Sequence, residues 1–128
     1  MALVLNCFRI NNRPEVEVEL IDPVKEISEK IKAIIDTGFS GWVLVPGSIY
    51  SRLASLELAE DNWRTYSTLS GNIKMRTAKC IIKIGDVRIM GYIESPTFGR
   101  EMTLLEREVL KKLKVEIKKG EEICIEDP

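Results

Sequence analysis

The sequence predicts an all-β fold, and three features carry that prediction. Glu15 to Leu20 reads E-V-E-V-E-L, a strict alternation that places Val16, Val18 and Leu20 on one face of a half-buried strand. Ala78 to Ile84 and Val87 to Ile93 are β-rich runs with only Gly85-Asp86 between them, which signals a tight hairpin. Helical spacing, by contrast, is confined to two short stretches around Ile49 and Val109.

Taken in order, the first strand ends at the Asp22-Pro23 turn. Ile31, Ala33 and Ile35 then alternate before the run becomes wholly apolar at Ala33-Ile34-Ile35, predicting a strand that enters a core buried on both sides. It stops at the turn-rich hexapeptide Asp36-Thr37-Gly38-Phe39-Ser40-Gly41. Trp42 to Val45 resumes as a short apolar strand and Pro46-Gly47 ends it. Ile49, Leu53 and Leu56 sit at helical spacing, with Ser48 placed to cap the helix. Tyr66 to Lys74 reads as a hairpin with its tip near Ser70-Gly71-Asn72. Ser95 to Gly99 reads as loop, Leu105, Val109, Leu110 and Leu113 mark a second helix, and Val115-Ile117 with Ile123-Ile125 flank Lys119-Gly120 as a last hairpin. The series hairpin, apolar strand, turn, short helix occurs twice, so residues 1–128 are expected to form a single domain whose halves share an internal pseudo-symmetry.

Composition narrows the function classes. The 128 residues include 19 basic and 20 acidic side chains, a formal charge of -1, so no nucleic-acid partner or anionic membrane surface is expected. The lysines between 111 and 119 are interleaved with acids and read as a solvated face. No apolar run reaches the length of a membrane span, and the apolar start breaks at Asn6 before a secretory leader could form, so a cytoplasmic location is expected. Cys7, Cys80 and Cys124 are far apart and lack zinc-ligand spacing, and are read as buried, reduced thiols with no metal site. His is absent, which removes Ser-His and Cys-His nucleophile pairs. Gln is absent too, while Lys and Glu are abundant, a balance found in proteins from hot environments.

Whatever chemistry remains must rest on carboxylates, Lys or a bound metal. Asp36 directly follows an apolar strand, where ionisation is costly unless the loop donates hydrogen bonds to the carboxylate. Gly38 and Gly41 could supply such donors with no side chain in the way. On the tripeptide alone, Asp36 is either a structural turn residue or a reactive one.

With its context, Ile34-Ile35-Asp36-Thr37-Gly38-Phe39-Ser40-Gly41 followed by Val43-Leu44-Val45-Pro46 resembles the retropepsin-like aspartic proteases over roughly Glu15 to Ile117, the cellular, non-viral type in particular. The resemblance implies a closed β-barrel of the acid protease fold with one or two short helices. It implies an aspartic endopeptidase with Asp36 as the catalytic group, Thr37 holding two active-site loops together across a dimer axis, and Gly38 presenting its backbone to a polypeptide substrate. Ser70, Gly71 and Asn72 would form the flap over that substrate, or else a plain hairpin turn. Because one chain carries one D-T-G and the mechanism uses two facing carboxylates, the second must come from another copy, a homodimer with no cofactor. The apolar ends, Met1 to Leu5 and Ile123 to Ile125, are candidate interface strands unless the last hairpin replaces that arrangement. The family's second signature, apolar-apolar-Gly-Arg, falls at Leu104-Leu105-Glu106-Arg107, where Arg107 matches and Glu106 replaces Gly. Thr103-x-x-Glu106 has capping-box spacing, so Glu106 is read as a helix cap; a distorted, inactive site is the other reading. The alternative function is then an idle dimer that binds peptide or serves only to dimerise.

Overall fold

Alternation in β2 (Glu15–Ile21) decides where the core lies: Val16, Val18 and Leu20 are buried while Glu17 faces water. This is a computed structural model, and it describes residues 6–69, 71–96 and 102–126. β2 pairs antiparallel with β3 (Ser28–Ile35), in register from Glu15↔Ile34 to Ile21↔Ser28. The turn between them is fixed by Asp22, which is fully buried and accepts hydrogen bonds from Val24 N (2.9 Å), Ser55 N (3.2 Å) and Ser55 Oγ (2.5 Å). A buried carboxylate needs such donors.

After β3 come β4 (Val43–Leu44), α1 (Gly47–Leu53), a short 3₁₀ turn, β5 (Arg64–Thr68), β6 (Gly71–Ile84), β7 (Val87–Pro96), β8 (Leu104–Leu105) and α2 (Arg107–Leu110). The strand order β2-β3-β8-β4-β7-β6 closes through a β2–β6 pairing, Glu19↔Lys83 to Ile21↔Ile81, so these strands form a ring. β5 is added on the free side of β6. The expected internal symmetry has a physical form here. β4 runs parallel to β7 and β8 runs parallel to β3, so each half inserts a strand beside the hairpin of the other. β4 and β8 then pair antiparallel between them. Leu20, Leu53, Ile82, Ile84, Ile93 and Leu105 fill the ring.

Both helices differ from their sequence reading. Pro46, with no side-chain cap bond, occupies the cap of α1, and its carbonyl accepts from Ile49 N and Tyr50 N; Ser48 lies inside the first turn and Leu56 outside the helix. Proline preset in an extended conformation starts the helix without a side-chain acceptor. Leu105 belongs to β8, where partner strands on both sides override its helical spacing, and α2 is a single turn. Likewise Ser95 and Pro96 extend β7, and residues 97–99 of the expected loop lie outside the described ones.

A second sheet orders β1 (Asn6–Arg9), β10 (Glu122–Glu126) and β9 (Lys114–Lys118). Here the reading of all three cysteines as free thiols is corrected. Cys7 stands directly opposite Cys124, Cα atoms 4.1 Å apart, and the two are disulfide-bonded. Only Cys80 is free and buried. A sequence separation of 117 conceals a register that only the folded sheet creates. Ile123 and Ile125 are buried in this sheet, with β1 and β9 on either side, so the last hairpin covers them within the chain; Met1 to Leu5 lie outside the described residues. No helix among the described residues is long and apolar enough to cross a membrane.

Candidate active site

The turn after β3 is held by groups from three other elements. Asp36 N donates to Leu105 O (2.9 Å), which ties the end of β3 to β8. Gly38 N donates to Asp36 Oδ1 (2.9 Å), so the donor anticipated at Gly38 is present. Every carbonyl from Phe39 to Trp42 accepts a hydrogen bond: Phe39 O from Arg107 N (3.1 Å), Ser40 O from Arg64 Nη2 (3.1 Å), Gly41 O from Glu108 N (2.9 Å) and Trp42 O from Glu106 N (2.8 Å). Arg107 Nε reaches Phe39 O as well, at 3.4 Å. A loop whose polar backbone is this fully paired is fixed in place. Asp36 is half-buried within one chain, and Thr37, Gly38 and Phe39 face outward.

Gly41 is required for a different reason than hydrogen-bond donation. A Cβ there would come within 2.2 Å of Glu106 Oε1, 2.6 Å of Glu94 Oε1 and 2.6 Å of Tyr66 Oη. Three polar side chains thus converge on the bare Cα beneath the loop. Glu94 is fully buried and well supplied with donors: Trp42 N (2.9 Å), Tyr66 Oη (2.6 Å) and, at ion-pair distance, Arg64 Nε (3.6 Å). Burial first, then the bond to Glu94, push the Tyr66 phenol far above its ordinary range.

Glu106 corrects the capping-box expectation. It occupies the cap position of α2 itself and makes no side-chain cap bond there. Its carboxyl turns inward, 5% exposed, and accepts no hydrogen bond among the described residues. Burial, then the Glu94 carboxylate, then Asp36 push it up to about 8, with Arg64 pulling the other way. The shift favours the protonated form of this acid around neutral pH.

Above these groups lies a cavity of about 620 Å³. Gly38, Phe39 and Ser40 form one side, Leu44, Leu104 and Pro96 another, and Glu94, Glu106 and Arg107 also line it. The β5–β6 hairpin supplies Thr65, Tyr66, Ser67, Ile73 and Met75. So the structure brings the loop of Asp36 and Gly38 together with the hairpin. Of the flap residues named from sequence, Gly71 and Asn72 are exposed near the tip and Ser70 lies outside the described residues. Gly71 has φ +114°, a conformation that favours glycine, and Asn72 Oδ1 accepts from Ser67 Oγ (3.2 Å). Of the hairpin residues at the cavity, Tyr66, Ile73 and Met75 were legible in principle, since Tyr66↔Ile73 and Arg64↔Met75 are cross-strand pairs two positions apart and share a face; Thr65 and Ser67 occupy the alternate positions. Glu94 also had a signal, a lone acid inside the β-rich run Gly91 to Pro96. Trp42 packs edge-on against Tyr92, and Trp63 bonds to Leu58 O; neither lines the cavity.

No protein-family model matches the sequence, and no curated protein matches it. Solved structures do. A crystal structure of a retropepsin-like aspartic protease from Rickettsia conorii superposes with a TM-score of 0.62 at 17% identity, covering 96% of this chain and 99% of that one. The fold is retropepsin-like. EIAV protease, complexed with the inhibitor HBY-793, gives 0.53 at 18% identity over 81% of this chain and 90% of that one. At these identities the likeness is one of fold. Within the retropepsin-like ring, the reciprocal strand exchange is what brings the end of β3, with Asp36, beside β8 and the α2 entry, with Glu106. Among the described residues, Cys7, Glu122 and Cys124 lie together away from this loop, and the two sulfurs are joined to each other.

Proposed function

We propose that the chain is an aspartic endopeptidase that works as a homodimer, each copy contributing Asp36. The observation that carries this is the position of Asp36 at the end of β3, on a loop with its backbone fixed whose next residues, Gly38 to Ser40, line a cavity shared with the β5–β6 hairpin, in a retropepsin-like fold. Two such carboxylates facing each other share one proton, so one accepts a proton from water while the other polarises the scissile carbonyl. Thr37 and Gly38, exposed on the loop, are the groups available to the second copy and to the substrate backbone. Gly71 and Asn72, with Ser70, are assigned to closing over the bound polypeptide. Residues 1–128 act as one domain in this reading. Residence in the cytoplasm belongs to the proposal as well; the Cys7–Cys124 bond accords with it if the source is an organism of hot environments, whose intracellular proteins carry disulfides.

A second reading, an idle dimer that binds peptide, draws on Glu106, because a third carboxyl in electrostatic contact with Asp36 departs from the expected Gly. The deciding test is Asp36→Asn. Asn keeps the shape and cannot share the proton, so cleavage of denatured polypeptide is expected to vanish with the thermal midpoint unchanged. Equal cleavage by both chains, or none by either, sets the protease reading aside.

A further inference from the structure

Glu106 presents a combination that packing alone does not explain. It is a carboxyl that is nine-tenths buried, accepts no hydrogen bond among the described residues, and opens into the cavity beside the Asp36 loop. The nearby cations are already engaged. Arg64 sits on Glu94 and on Ser40 O, and Arg107 reaches Phe39 O; neither lies within ion-pair distance of Glu106. Glu94 is likewise occupied, by Trp42 N, Tyr66 and Arg64. Walls of Phe39, Leu44, Ile73, Met75 and Leu104 lead to this acid. Such a shape, an apolar channel ending in an unpaired carboxyl, is complementary to a side chain with a methylene stem and a cationic head.

We infer that Glu106, with Glu94 behind it, receives the head of a lysine or arginine of the substrate, so that the cleft selects polypeptides carrying a basic residue close to the scissile bond. The inference rests on the protease reading for the word substrate, though not for the pocket. The proton balance follows directly. Glu106 is neutral in the empty cleft, the incoming ammonium or guanidinium favours its charged form, and its proton passes to solvent as the ion pair forms. A purely structural Glu106 would release no proton on binding.

The test uses the Asp36→Asn chain, which keeps the cleft and does not turn over; burial and Glu94 still hold the Glu106 proton there. Peptides in which one lysine is walked along the sequence, each against its norleucine counterpart, are titrated calorimetrically at neutral pH in two buffers of different ionisation enthalpy. At one position, lysine is expected to bind about tenfold or more tighter than norleucine. The buffer dependence there should show proton release. Adding Glu106→Gln should remove both effects while norleucine peptides still bind. Equal binding of the two series at every position, no binding at all, or a lysine preference that survives Glu106→Gln would overturn the inference. Should Glu106→Gln fail to fold, the missing or present proton release in its parent decides alone. Selective binding by a wild-type chain that cleaves none of these peptides would uphold the pocket and sink the protease, so the two failures are told apart.

Discussion

At the scale of single residues, the site is organised around what Gly41 lacks. Glu94, Glu106 and Tyr66 all approach its Cα from short range, and two of these ends are not freely mobile, since Glu94 is anchored on three partners and Tyr66 is one of them. Gly41→Ala must therefore displace either the loop or the acids. A loss of about 1–3 kcal/mol in urea unfolding is expected, together with a fall in any peptidase activity. Glu106 gives a second residue-scale expectation, in pH. Its folded value, about 8, lies above the ordinary 4.5, so the folded chain holds a proton that the unfolded chain has lost between those limits. Its contribution to stability is thus fully present below the lower value and is lost as pH rises through the upper one. Thermal midpoints taken from about pH 5 to about pH 9 should fall more for wild type than for Glu106→Gln. Parallel curves would show that the carboxyl is not buried as described. The sequence could disclose Asp36 and Arg107, because each belongs to a short local pattern. It could not disclose the inward turn of Glu106, because a capping box and a buried acid share the same spacing until Gly41 opens space beneath the loop.

Among the elements, strands with strong local alternation were readable and short pieces were not. β2, the β6–β7 hairpin and the β9–β10 hairpin carry their own period and turn chemistry; Gly85 and Gly120, at φ +56° and +69°, occupy those turns. β8 has two residues and exists only because β3 and β4 flank it, so its leucines took the appearance of a helix. The cross-strand pairing of Cys7 with Cys124 depends in the same way on a sheet assembled from distant parts of the chain. That bond ties β1 to β10 and should be stabilising. A Cys7→Ala chain, or wild type under a reductant, is expected to lose about 2–5 kcal/mol of stability. Cys80 offers the internal control, since burial pushes its thiol up to about 12 and it should resist alkylation in the folded state. Unfolding midpoints unaffected by reduction would remove the bond from the account.

For the whole molecule, the ring bears on the proposed pairing of two copies. Its two halves exchange strands reciprocally, yet only the first half ends β3 in D-T-G; the equivalent position after β7 carries no second such motif. The chain is therefore expected to complete its chemistry by pairing with a copy of itself about a twofold axis, with Thr37 and Gly38 facing the partner. Whole-molecule architecture was accessible from the sequence through the repeat of hairpin, strand, turn and helix, because that order reflects topology and not local propensity. The closing β2–β6 contact and the cavity floor depend on packing between distant segments and had no local signature. Pairing of copies can be read out in the reaction itself. Wild-type chain is mixed with Asp36→Asn chain at constant total concentration, and cleavage of a polypeptide is followed as the wild-type fraction falls. Activity is expected to follow the square of that fraction, leaving about a quarter at equal mixing, because a mixed pair has only one carboxylate to share the proton. Activity that declines in direct proportion, each chain working alone, would contradict the account.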